Sequence, residues 1–83
     1  MELLYFAWVR ERIGTGSERV EPPADIATLG ELIAWLARRS PGHAAALADP
    51  TALRAAVDQR FARMGEPVTG AREVAIFPPV TGG

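Results

Sequence analysis

An α+β fold, with one mixed sheet packed on one main helix, is what the 83-residue sequence predicts. Three observations carry that expectation. The chain opens on a continuous apolar run, Leu3–Val9, and its last apolar run, Glu73–Phe77, has the period of two of a strand. Between them, Leu29–Leu36 has helical spacing. A chain of this size also buries only about 60–65% of its unfolded surface, so one sheet on one helix is a realistic limit.

Taken in order, Leu3-Leu4-Tyr5-Phe6-Ala7-Trp8-Val9 is rich in aromatic residues and fits a buried central strand. Arg10-Glu11-Arg12 turns polar, and Gly14-Thr15-Gly16 supplies turn chemistry. Ser17–Glu21 alternates weakly and reads as a return strand closed by Pro22-Pro23, completing a hairpin. Thr28-Leu29-Gly30-Glu31 matches a capping box, in which the threonine hydroxyl and the glutamate each satisfy a free backbone donor. Leu29, Leu32, Ile33 and Leu36 then fall on one apolar face. Arg38-Arg39 suit the negative end of the helix dipole, and Ser40-Pro41-Gly42 is expected to stop the helix.

Ala44–Ala48 has the composition of a short helical turn before Asp49-Pro50. Beyond it the signals conflict. Leu53, Ala56, Val57, Arg60 and Phe61 include a helical stripe, whereas Leu53, Ala55 and Val57 alternate as a strand would, and local propensity leans helical. Met64–Pro67 and Thr69–Ala71 are loop material. In Glu73–Phe77, Val74 and Ile76 share one face and Ala75 and Phe77 the other. With the first pair toward the helix, Phe77 lies on the outer face as a candidate for a docking patch, which Phe61 is placed to join.

Composition removes whole classes of function. Nearly half the residues are apolar (48%) and the net charge is −1, which argues against disorder, nucleic-acid binding and membrane attraction. All nine basic residues are arginine, so the N-terminus is the one amine. With no cysteine there is no disulfide, no thiolate metal site and no persulfide carried on the chain. The opening run lacks a basic segment with a cleavage site, and no stretch approaches membrane-spanning length; a cytoplasmic protein is expected. His43 is the single histidine and reads as a loop residue without a catalytic partner, and the acidic residues have no ligand spacing. Gly14-Thr15-Gly16 lacks the lysine and the span of a phosphate loop. Neither a cofactor nor a metal is expected, and nothing makes the chain an enzyme by itself.

What remains is the end of the chain, Phe77-Pro78-Pro79-Val80-Thr81-Gly82-Gly83. Proline holds φ at about −65° and forces the residue before it into extended geometry, so Pro78-Pro79 is expected to end the strand and project a stiff arm. Gly82-Gly83 has no Cβ and minimal width. A stiff stem with a slim tip suits delivery of a terminal carboxylate into a partner's narrow channel. The division expected is 1–77 as the folded domain and 78–83 as the tail.

Those seven residues together resemble the end of the ubiquitin-like sulfur carriers of the molybdopterin synthase small-subunit family. Tyr5-Phe6-Ala7-Trp8-Val9-Arg10-Glu11, with Gly14 following, is similar to that family's opening. Asp58-Gln59 stands where many relatives carry Asn-Gln. The resemblance implies a β-grasp fold, with two short strands around a turn near Asp58-Gln59 in place of the helix that local propensity favours. It implies that Gly83 is adenylated by a ubiquitin-activating-type adenylyltransferase and converted to a thiocarboxylate, with Gly82 as the slim approach. It further implies docking through Phe61, Phe77, Pro78, Pro79, Val80 and Thr81 to a large synthase subunit, two small subunits with two large. That subunit would hold a cyclic pyranopterin phosphate, and two carrier turnovers would install the dithiolene sulfurs. Carriers for thiamine thiazole or cysteine biosynthesis share the fold and the Gly-Gly end, and a β-grasp interaction module without chemistry is a rival of another class.

Overall fold

The computed structural model describes residues 1–79. Its elements are β1 (Glu2–Tyr5), α1 (Ala7–Ile13), β2 (Ser17–Arg19), α2 (Leu29–Leu36), α3 (Pro41–Ala46), a 3-10 turn (Pro50–Ala52), β3 (Arg54–Val57), β4 (Arg60–Ala62) and β5 (Glu73–Phe77). The strands form one sheet in the order β2-β1-β5-β3-β4. β1 and β5 run parallel at its centre, and the other pairings are antiparallel. This is a β-grasp sheet, and the first and last strands are neighbours as their apolar character requires.

α2 forms as its sequence dictates. Thr28 Oγ1 accepts from Glu31 N–H at 3.2 Å, and Glu31 Oε1 accepts from the Thr28 and Ala27 N–H groups at 3.0 and 2.9 Å. The Ala27 and Thr28 N–H groups hold the Glu31 carboxyl below its usual range. Leu29, Leu32, Ile33 and Leu36 are all buried, in one core with Leu3, Tyr5, Val74 and Ile76 from the central strands. Gly30 lies close to the 64–65 segment: its N–H donates to the Met64 carbonyl at 2.8 Å, and a Cβ would stand 3.3 Å from that oxygen.

Three local expectations are corrected. The run Leu3–Val9 is not one strand: β1 stops at Tyr5, and Ala7 begins a helix that places Val9 in the core. Apolar content alone cannot separate the two, but Val9 and Ile13 stand at i, i+4, and Gly14 at φ 98° is the left-handed end of a helix, its N–H donating to the Arg10 carbonyl at 2.8 Å. Ser40-Pro41-Gly42 ends nothing; Ser40 caps α3, whose first residue is Pro41. Gly42 is needed there because a Cβ would fall 2.5 Å from the Arg12 carbonyl oxygen of α1. His43 is accordingly a buried helical residue, not a loop residue.

Within residues 51–63, where local propensity leans helical, the chain forms the two short strands β3 and β4 after the 3-10 turn. Ala55 pairs with Ile76 and Ala56 with Ala75, so β5 supplies the ladder that overrides local helical propensity. The connecting residues Asp58 and Gln59 both have positive φ, 48° and 69°, as a two-residue hairpin turn of the I′ kind requires. Asp58 Oδ1 accepts from the Arg72 and Glu73 N–H groups at 2.9 and 3.0 Å, tying that turn to the start of β5. Among the described residues no helix is long and apolar enough to cross a membrane.

Candidate functional site

The helices cover one face of the sheet, and the other carries a continuous apolar row. Register places Leu4 beside Ala75, Ala75 beside Ala56 and Ala56 beside Phe61, so the row crosses four strands. Two alanines at its centre make it low between the larger ends. Phe77 lies one pair further along β5, beside Arg54. The Phe61 and Phe77 rings meet edge to face, centroids 6.1 Å apart, and Phe61 is 82% exposed. So large an exposed ring, packed on the last residue of the central strand, forms an apolar surface patch.

A groove of about 530 Å³ runs between Phe61, Phe77, Ala55, Ala62, Arg54, Arg63 and Glu66. The Glu66 carboxylate accepts from the Arg63 backbone N–H. Pro78 and Pro79 follow Phe77 directly and are half-buried. The expected positions Val80, Thr81, Gly82 and Gly83 lie outside the described residues. Of the expected site, the structure therefore brings Phe61 and Phe77 together, and Pro78 and Pro79 are next to Phe77 along the chain.

Phe6 was not among the residues expected there. It is 49% exposed, retains extended backbone at φ −130° and ψ 157°, and its N–H donates to the Ile76 carbonyl at 3.2 Å. Alternation along Glu2–Leu4–Phe6 puts it on the outer face, next to the end of β5. Reading Leu3–Val9 as an unbroken strand hid this alternation, although Leu3 and Tyr5 already mark the opposite face. Leu4, Ala56 and Ala75 were missed because only pairing register makes a row of them.

A second cluster lies on the core side. The Tyr5 hydroxyl donates to Glu18 Oε2 at 2.7 Å, His43 Nε2 meets the same oxygen at 2.6 Å, and Ser40 Oγ lies 2.7 Å from His43 Nδ1. Arg39 approaches Glu18 Oε1 at 3.4 Å. An imidazole donating from Nε2 and accepting at Nδ1 satisfies every one of these atoms. Burial pushes the Glu18 carboxyl up, but the hydrogen bonds from His43 and Tyr5, with the charge of Arg39, outweigh it and hold the group below its usual range. Burial, then the bond to Glu18, raises the Tyr5 phenol.

Serine, histidine and carboxylate in line have the composition of a hydrolytic triad. Here, however, Ser40 Oγ also accepts from the His43 N–H at 3.1 Å as the cap of α3, and His43 is only 7% exposed. The cluster fastens β1, β2 and α3 together. Sequence spacing could not find it, since Glu18 and His43 are 25 residues apart. Among the described residues no group of three or more His, Cys, Asp or Glu could hold a metal ion.

Comparison with known proteins draws on the chain from end to end. It is 43% identical to the molybdopterin synthase sulfur carrier subunit of Escherichia coli, over 100% of this chain and 99% of that protein. Identity to the protein of the same description in Haemophilus influenzae is 35%, again over 100% and 99%. The solved structure of SAMP1 from Haloferax volcanii, 29% identical, superposes with a TM-score of 0.73 across 100% of this chain and 98% of that one. Residues 3–83 match the ThiS family, and with relatives of this identity matched along the full length, the chain belongs to that family.

Proposed function

We propose that this chain is the sulfur-carrier subunit of a molybdopterin synthase, in which Gly83 as a terminal thiocarboxylate donates sulfur to cyclic pyranopterin monophosphate. The observation that carries the reading is the 43% identity, along the full length, to a protein of that description. The geometry supports it: β5, central in the sheet, ends at the Phe61–Phe77 pair and passes directly into Pro78-Pro79. Residues 1–77 act as the folded body and 78–83 as the tail, in a cytoplasmic complex.

A carboxylate is unreactive as an acyl donor because its leaving oxygen is not activated. A ubiquitin-activating-type adenylyltransferase joins the Gly83 carboxylate to the α-phosphorus of ATP, releasing pyrophosphate. A sulfur donor then displaces AMP and leaves –COSH. That sulfur is ionised near neutral pH and nucleophilic, as a low-pKa thiolate is. Two turnovers supply the two dithiolene sulfurs. The large subunit provides the acid–base groups and substrate contacts, two small subunits with two large. Phe61 and Phe77 anchor it, while Pro78, Pro79, Val80 and Thr81 line the approach and Gly82 keeps the tip narrow.

Mass analysis of protein isolated from its native host tests the chemistry. Oxygen-to-sulfur exchange localised to Gly83 is the expected result. Its absence in cells actively making molybdopterin overturns the reading. In single-turnover transfer, Gly82→Val should dock yet transfer sulfur slowly, because misplacing a reacting atom by about 1 Å costs on the order of a hundredfold in rate.

A further inference from the structure

We propose that Arg54 is a specificity-determining residue of the docking face, a preset guanidinium beside the tail stem that pairs with a carboxylate side chain of the partner protein. The inference rests on the functional reading above, in which a protein covers the Phe61–Phe77 face.

Arg54 stands directly across from Phe77 in the β3–β5 register and lines the same groove as both aromatic rings. Its side chain is already oriented: Nη1 donates to the Leu53 carbonyl at 2.7 Å and to the Thr51 carbonyl at 3.2 Å. Those bonds leave Nη2 and Nε uncommitted, and among the described residues the ion pairs involve other groups, Arg19 with Glu2 and Arg39 and His43 with Glu18. An exposed, half-tethered guanidinium keeps part of its planar fork for a carboxylate and has less side-chain freedom left to lose.

The surrounding charges specify the sign of the partner. At the stem end of the face, the groove holds Arg54 and Arg63 against Glu66, whose carboxylate is bonded to the Arg63 backbone. At the opposite end, Glu2 and Glu73 stand side by side, with Arg19 3.8 Å from Glu2. The face is thus cationic where the tail leaves and acidic at its far end, with the apolar row between. A partner covering Phe77 must also cover Arg54. A guanidinium covered without a counter-charge opposes binding, whereas a carboxylate opposite it directs the partner's orientation and speeds encounter.

The test uses the full chain and the large synthase subunit of the same organism, with affinity and association rate followed across a salt series. Arg54→Glu should weaken the complex at low salt by about tenfold or more and slow association, and the deficit should shrink at high salt. Arg54→Leu retains apolar packing at the stem and should show a smaller, salt-sensitive loss. Arg54→Lys should keep the association rate but lose affinity, because an ammonium lacks the fork. Arg38→Glu, on the far side of the sheet after α2, controls for net charge and should bind as wild type. Melting midpoints should stay within a few degrees of wild type, since Arg54 is exposed and the variants lose at most its bonds to the Leu53 and Thr51 carbonyls. Binding by Arg54→Glu equal to wild type, or a loss independent of salt, overturns the inference while leaving the functional reading in place. Failure of the wild-type chain to bind that subunit overturns both.

Discussion

The two faces of β5 are built from similar residues and meet opposite fates. Val74 and Ile76 point inward and are fully buried, 0% exposed, in one core with Leu29, Leu32, Ile33 and Leu36 of α2. Phe77 points outward and packs on Phe61, which no other part of the described chain covers. Hydrophobicity alone does not distinguish them; the helices do, because they fill only one side. One strand therefore carries stability on its inner face and, in the function proposed above, recognition on its outer, and substitutions should separate them.

The largest separation comes from the inner face. Leu36→Ala should destabilise the fold by about 2–5 kcal/mol, a large share of what a domain of this size has, because the cavity cannot fully collapse. Chemical denaturation measures it. A loss under about 1 kcal/mol would mean that α2 is not the principal cover of the inner face. Phe77→Asp is the complementary change. It should weaken the partner complex by about 2 kcal/mol or more and leave the denaturation midpoint nearly unchanged, because the ring is half-exposed in the free chain. Unfolding of Phe77→Asp, or wild-type affinity, would erase the distinction between the faces.

How legible these roles are in the sequence follows the range of each interaction. The α2 cap and apolar stripe are local, within eight residues of one another, and were legible. The outer position of Phe77 follows from period-two alternation and was legible too, as was its proximity to Phe61 once β3 and β4 were placed. Placement of those strands was not available from local propensity, because it depends on a ladder with β5 some twenty residues away in sequence, Ala55 to Ile76. The resemblance supplied it. The break between Tyr5 and Ala7 and the Glu18–His43 contact were illegible, since one is a single backbone dihedral and the other a long-range polar contact among side chains common in loops.

The polar cluster sharpens the comparison from the inner side, with a smaller effect that depends on pH. Glu18 is held below its usual range in the folded chain, so it binds fewer protons there than when unfolded. Its contribution is fully present above the ordinary glutamate pKa and is lost as pH falls through the depressed folded value. Stability should therefore decline on acidification below about pH 5. In Glu18→Gln that decline should be shallower, from a lower starting stability. Parallel acid-unfolding curves for the two proteins would remove Glu18 from the account. Partner affinity at neutral pH should be the same for both, since the cluster is on the face away from Phe61.

The smallest expected effect lies at Ala7, where the alternation of the two faces ends. Phe6 still has strand geometry and presents its ring outward, yet Val9, three residues later, is in the core by way of a helix. Between them the chain reverses course through Ala7, whose φ of 52° is a left-handed value. An L-residue with a Cβ is held there at a cost of about 1–2 kcal/mol, since the Cβ crowds its own backbone. Glycine has no such crowding, but it gives the unfolded chain more freedom, worth about 0.5–1 kcal/mol against folding. The two nearly offset, so Ala7→Gly should be neutral to slightly stabilising, with a melting shift of a few degrees upward at most. Ala7→Val moves the other way, because a β-branched side chain is still less tolerant of positive φ. Thermal denaturation of both variants reads the sign. If glycine costs more than about 1 kcal/mol and valine costs nothing, the turn after Phe6 is not left-handed, and Phe6 would lose the backbone geometry that puts it on the outer face.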